Sequence, residues 1–213
     1  HCGRRLAGAP HVDPLPAYMR AALADSKSRR LVMAIVFVAL AVRVLVVAVS
    51  DYTPQNDAAD YHRHGVSIAA GEGYPVSAVA SAGGPTAFRA PLYPYFMGGI
   101  YAVVGEKVGA VRYAQALIGT LSVVLIGLVA LLIWGRGAGF VSLGLAAIYP
   151  PLVMSGADLL TEPIFLLLFL GAAVAVLFHR QRGEGYRWAL LAGLLVGLAT
   201  LARPNGFVLL LPL

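Results

Sequence analysis

The chain of 213 residues has a single cysteine, Cys2, so it can form neither an internal disulfide nor a thiolate metal cluster. Charge is scarce too. Asp, Glu, Lys and Arg make up 12% of the residues and hydrophobic ones 59%, whereas soluble domains carry about 25% charged residues. Too little polar surface is left to cover a water-soluble globule, which excludes that class. Strand-type alternation, internal repeats and low-complexity tracts are also lacking, so the chain reads as one all-α unit. No basic helix is interleaved with exposed aromatics, so the net charge of +6 is read as a membrane-orientation signal and nucleic acid is not an expected partner.

Long apolar blocks are present in place of these features. Leu31–Ser50, Ala114–Trp134, Ala138–Ser155, Ile164–Phe178 and Trp188–Ala202 hold almost no charge, and several approach the roughly 20 residues that cross about 30 Å of hydrocarbon. The expected fold is a polytopic transmembrane helix bundle with about five spanning helices. Residues 1–30 are expected to be a disordered or spurious leader, Pro/Gly-rich at first, with Met19 a candidate start. The chain begins with His1 and stops in the apolar "VLLLPL", so 31–213 is expected to be the N-terminal part of a longer membrane domain. Leu31–Ser50 is longer than a signal-peptide core and contains Arg43, which favours an uncleaved first helix.

Lys27, Arg29 and Arg30 place the N-terminus in the cytoplasm by the positive-inside rule. The loop 51–112 is then external unless Pro91–Val104 crosses. If it crossed, the basic "HRQRGEGYR", His179–Arg187, would face outward against the same rule. Its 14 residues reach about 21 Å, short of a span, and Tyr93, Tyr95 and Tyr101 suit an interface. The loop is therefore expected to hold two surface-lying helices, Asn56–Ala70 and Pro91–Val104, joined by a flexible "VSAVASAGGPTA". A loop this long is expected to carry function.

Asp57 and Asp60 stand in "QNDAADYHRHG" just after the first helix. A carboxylate there can act as a general base or cap a helix. His62 and His64 are spaced i,i+2 and do not share a helical face, so a metal pair is not expected. Asp158 and Glu162 in "SGADLLTEPIF" fall at the same membrane face, with Pro163 marking a helix start. Three arginines complete the candidate set. Arg43 lies within the first helix, where a charge needs a partner or a function; Arg89 precedes the second surface helix, and Arg203 ends the fifth block. Guanidinium groups bind phosphate bidentately and stabilise charge on a phosphate leaving group. The arrangement suits a substrate with an anionic head at the membrane surface and a tail in lipid, and requires no metal or cofactor.

The ordered segments "NDAADYHRHGVSIAAGEGY", "FRAPLYPYFMGGIYAVVG", "RYAQALIGTL", "AIYPPLVMSGADLLTEPIFLLL" and "LAGLLVGLATLARPNGFVLLLPL" resemble the N-terminal half of GT-C glycosyltransferases. The resemblance is to the dolichyl-phosphate-mannose-protein mannosyltransferase group, which includes the bacterial aminoarabinose lipid A transferases, and covers about Leu31 to Leu213. It implies a polyprenyl-phosphate sugar donor, an acceptor hydroxyl on a lipid, glycan or protein, and chemistry at the extracytoplasmic face of a bacterial inner membrane. Asp57 matches the family's first-loop acid, although Ala58 stands where many relatives carry a second one. Glu162 matches the "TE" and Arg203–Pro204 the "RP" motif. The set implied is Asp57 and Glu162 as catalytic residues, Asp60 and Asp158 as further acids, and Arg43, Arg89 and Arg203 on the donor phosphate. A transporter or flippase for a lipid-linked or anionic substrate is the alternative from another class, and would line a path through the bilayer with polar groups. A non-enzymatic membrane scaffold, third, would need neither Asp57 nor Glu162.

Overall fold

A computed structural model describes residues 25–76, 88–182 and 186–210. Residues 1–24 of the expected leader, 77–87 of the expected flexible stretch and 183–185 of the basic loop lie outside the described residues. Helices and turns account for the rest; no strand occurs among the described residues.

Helix α1 spans Ser26–Val49. It begins before the apolar block because Asp25 caps it, accepting from the backbone N–H groups of Lys27 and Ser28 at 3.1 and 3.2 Å and from the Ser28 hydroxyl at 2.7 Å. Residues 26–30 therefore belong to the bundle and not to a disordered leader. Helices α2 (Asn56–Ala69) and α3 (Leu92–Val104) follow, then α4 (Val108–Trp134), α5 (Arg136–Ile148) and α6 (Pro150–Ala157). Helices α7 (Glu162–Arg182) and α8 (Tyr186–Ala202) come next, and a 3-10 turn, Pro204–Leu210, ends the described chain.

Three of these helices, α1, α4 and α7, are long and apolar enough to cross a membrane, and α5 with α6 adds a fourth span broken by a 48° bend. Helix α8 has 17 residues and reaches about 25 Å. Among the described residues three helices, or four with the bent pair, thus have the length and composition of full spans, and α8 is a shorter fifth apolar helix. Helix α8 stops short because Pro204 disfavours a helical Arg203.

Pro150 and Pro151 split the third apolar block. Each lacks an N–H, and its ring collides with the carbonyl four residues back. Tyr149, before the pair, takes extended torsions of φ −64° and ψ 114°. The carbonyls that lose their helical donors are those of Ala146 and Ala147, four residues before each proline.

The two ends of the bundle are distinct. Near one, Arg136 donates to the Ser28 hydroxyl at 2.9 Å and lies 3.8 Å from Asp25, tying the start of α5 to the start of α1. Near the other, Arg112 in the first turns of α4 reaches the final carbonyls of two helices. It donates to Ala157 O at 2.6 Å and Val47 O at 3.4 Å, and to the Ser50 hydroxyl. Positive charge at helix C-termini is favourable. Because α1 ends where α4 begins, the chain between them makes no net crossing, and α2 and α3 lie together as non-spanning helices at that end. They cross closely: a Cβ on Gly98 would stand 2.6 Å from Ile68 Cγ2, and one on Gly65 2.9 Å from Met97 Cβ. Ala58, Tyr61, Tyr93, Met97, Tyr101, Val111, Leu159, Ile164 and Ala202 form one buried cluster, so five helices meet beneath the polar groups described next.

Candidate active site

Asp57 lies in the first turn of α2, and Arg89 just before α3. The Arg89 guanidinium donates from Nη2 to Asp57 Oδ1 at 2.7 Å and from Nε to Asp60 Oδ2 at 2.8 Å. It also rests on the Tyr61 ring, 4.6 Å from the centroid. Two carboxylates one helical turn apart thus grip one planar cation, and an aromatic face backs it. Burial opposes the charge of Arg89, but the bonds to Asp57 and Asp60 outweigh it and raise its pKa. Asp60 and Arg89 are buried, with side chains 2% and 7% exposed, whereas Asp57 is 60% exposed. Asp60 also accepts from Arg63 at 3.3 Å, and Tyr74 donates to the Arg89 carbonyl at 2.6 Å. The inner acid fixes the arginine and the outer one faces solvent. Asp57 does not cap its helix; Gln55 holds the cap position with no side-chain bond.

Across from this triad, Glu162 opens α7 and Arg203 follows α8. They pair at 2.7 Å, both partly exposed. Proline sets both positions: Pro163 fits the first turn of α7, and Pro204 turns Arg203 out of α8. Asp57, Arg89, Glu162 and Arg203 line one cavity of about 210 Å³, together with Tyr61, Phe88, Thr161 and Asn205. A carboxylate and a guanidinium thus approach it from each side. Its size is below the 300–1,000 Å³ of pockets that enclose whole ligands, and its lining is mostly polar.

The other candidates are placed elsewhere. Asp158 ends α6, outside the cavity lining; its carboxylate accepts from the Tyr52 hydroxyl and from Leu159 N at 2.8 Å. Gln115 donates to its backbone carbonyl at 2.6 Å. It shapes the turn leading to Glu162. Arg43, expected on a donor phosphate, is buried at 2% exposure and bonds backbone carbonyls: Ala39 O at 2.9 Å, Ala147 O at 3.0 Å and Ala146 O at 3.4 Å. Two of these are the carbonyls orphaned by Pro150 and Pro151. Gly119 makes the room, since a Cβ there would stand 3.0 Å from Arg43 Nε. His62 uses both ring nitrogens, on Tyr101 Oη at 2.8 Å and Glu106 at 3.1 Å, and His64 Nδ1 bonds Asp60 O at 2.7 Å. No three His, Cys, Asp or Glu residues among the described ones are grouped to hold a metal.

Sequence reasoning missed Tyr61, Thr161 and Asn205 in the lining and Arg112 behind it. For Arg112 a signal existed, an arginine in the first turns of an apolar span. Residues 88–213 match the sequence family described as dolichyl-phosphate-mannose-protein mannosyltransferase. That range includes Arg89, Glu162 and Arg203 and begins after Asp57. No curated protein and no solved structure matches the chain.

Proposed function

The chain belongs to the dolichyl-phosphate-mannose-protein mannosyltransferase family, and we propose that it transfers a sugar from a polyprenyl-phosphate donor to an acceptor hydroxyl at the cavity shared by Asp57 and Glu162. The observation that carries this reading is the pairing of two carboxylates with two arginines in a single cavity at one end of a membrane bundle. Asp57 takes the proton of the acceptor hydroxyl, whose oxygen attacks the anomeric carbon. The bond from that carbon to the phosphate oxygen breaks, and the lipid phosphate departs with the electron pair. Arg89 holds Asp57 through one carboxylate oxygen, leaving the other for the acceptor. Arg203, more exposed than Arg89, meets the departing phosphate, and Glu162 orients Arg203 until it arrives. The face is extracytoplasmic in this reading, supported by the basic residues gathered at the opposite end and the positive-inside rule.

Asp57→Asn tests it. The amide keeps the size and one acceptor oxygen but cannot take a proton, so transfer from a radiolabelled polyprenyl-phosphate sugar falls by about 10²–10⁴-fold while donor binding in detergent persists. Undiminished transfer would retire Asp57 as the base.

A further inference from the structure

A second, larger recess lies at the opposite end of the bundle. It runs between α1, α4 and α5, has a volume of about 460 Å³, and is lined by Met33, Leu128, Leu131 and Phe140 among other apolar side chains, with Arg29 and Arg136 at its rim. These apolar residues lie inside helices long or apolar enough to span, so the recess faces hydrocarbon. An unfilled recess at that depth forfeits dispersion contacts along its walls.

A methylene takes about as much room as the ~30 Å³ of a water molecule, so the recess takes on the order of fifteen carbons, one membrane-lipid tail. A helix about 10 Å across fills the same volume in about one turn, so it is too small to seat a neighbouring helix. The rim selects a charge. Arg29 is exposed and has no hydrogen-bond or ion-pair partner among the described residues. Arg136 places Nη2 on Ser28 and has no other hydrogen bond from its guanidinium among the described residues. Lys27 and Arg30 stand on the same turn of α1 as Arg29. Asp25 is the one acid among the described residues at this end, and the Ser28 hydroxyl and two backbone N–H groups already occupy it.

We propose that this recess binds an anionic phospholipid, with one acyl chain along Met33, Leu131 and Phe140 and the phosphate between Arg29 and Arg136. Guanidinium groups suit a phosphate by charge and by paired N–H geometry, and membrane-proximal basic residues attract anionic lipid by about fivefold each. The site is separate from the acidic cavity and does not depend on the reaction assigned there.

Native mass spectrometry of the full chain in neutral detergent tests this with equimolar phosphatidylglycerol and phosphatidylcholine of identical tails. The phosphatidylglycerol adduct should exceed the phosphatidylcholine adduct by roughly 25-fold, the product of two arginines at about fivefold each. Arg29→Ala should cut that preference about fivefold. Met33→Trp, at a side chain already 70% exposed, should fill the recess and reduce both adducts. Equal retention of the two lipids, a preference left undiminished by Arg29→Ala, or adducts left undiminished by Met33→Trp, overturns the proposal. So does preferential capture of a polyprenyl phosphate over phosphatidylglycerol, or a dimer that both lipids fail to displace.

Discussion

Replacing Arg43 measures what an arginine does deep in an apolar bundle. Its guanidinium supplies donors to Ala146 O and Ala147 O, whose normal donors are missing because residues 150 and 151 are prolines. Removing a buried partner costs about 1–3 kcal/mol per orphaned group. The 3.4 Å bond to Ala146 sits at the low end of that range and the 3.0 Å bond to Ala147 nearer its middle, for a sum of about 2–3 kcal/mol. Arg43→Met alone mixes this loss with relief from burying a charge, so the single variant is uninformative. The double-mutant cycle removes that ambiguity. In a Pro150→Ala/Pro151→Ala background the backbone N–H groups return, the two carbonyls no longer need Arg43, and the relief term is the same in both backgrounds. We expect Arg43→Met to cost about 2–3 kcal/mol less there, measured by unfolding in mixed micelles with increasing SDS. Additivity within about 0.5 kcal/mol would refute the donor-replacement reasoning.

Two further outcomes are expected. Arg89→Lys retains the charge but not the fork that spans Asp57 and Asp60, so transfer should fall at least tenfold with the bundle intact; full activity would show that only the charge matters. Gly98→Ala places a methyl 2.6 Å from Ile68 Cγ2 and should destabilise the α2–α3 crossing by about 1–3 kcal/mol, with Ile68→Ala recovering most of the loss in a thermal melt; absence of that recovery would move the strain elsewhere.

Much of the fold was legible because apolar length and charge placement are properties of single segments. The short stretch before Gly105 was too short to span, and the structure lays it as α3 against α2, within a connection whose two ends meet at the Arg112–Ser50 contact. Helix starts at Asn56 and Glu162 were likewise readable from local signals, a polar run and Pro163. The lengths of individual helices were less so, because the end of α8 and the break before Pro150 depend on how helix ends resolve. What the sequence concealed are relations between distant segments. Asp57 and Arg89 are 32 residues apart, and no periodicity pairs them. The partners of Arg43 were hidden for the same reason: two are backbone groups on another helix, made available by prolines more than a hundred residues later. Asp158 and Glu162 look like neighbours on one helical turn, yet the extended torsions of Asp158, φ −100° and ψ 159°, end α6 and send the two side chains to different surroundings.

The Arg112 clasp has a mechanical consequence. One guanidinium binds the last carbonyls of α1 and α6, so the lip of the cavity that carries Thr161 and Glu162 is anchored to α1. Arg203 stands on the same side of the cavity, joined to Glu162 by a partly exposed ion pair, and such surface pairs contribute at most about 1 kcal/mol. That side of the cavity is therefore held by two kinds of contact, a buried clasp and a solvent-exposed ion pair. Dissolved salt screens the exposed pair far more than the buried clasp, so raised ionic strength should weaken the Arg203–Glu162 contact while leaving the frame in place.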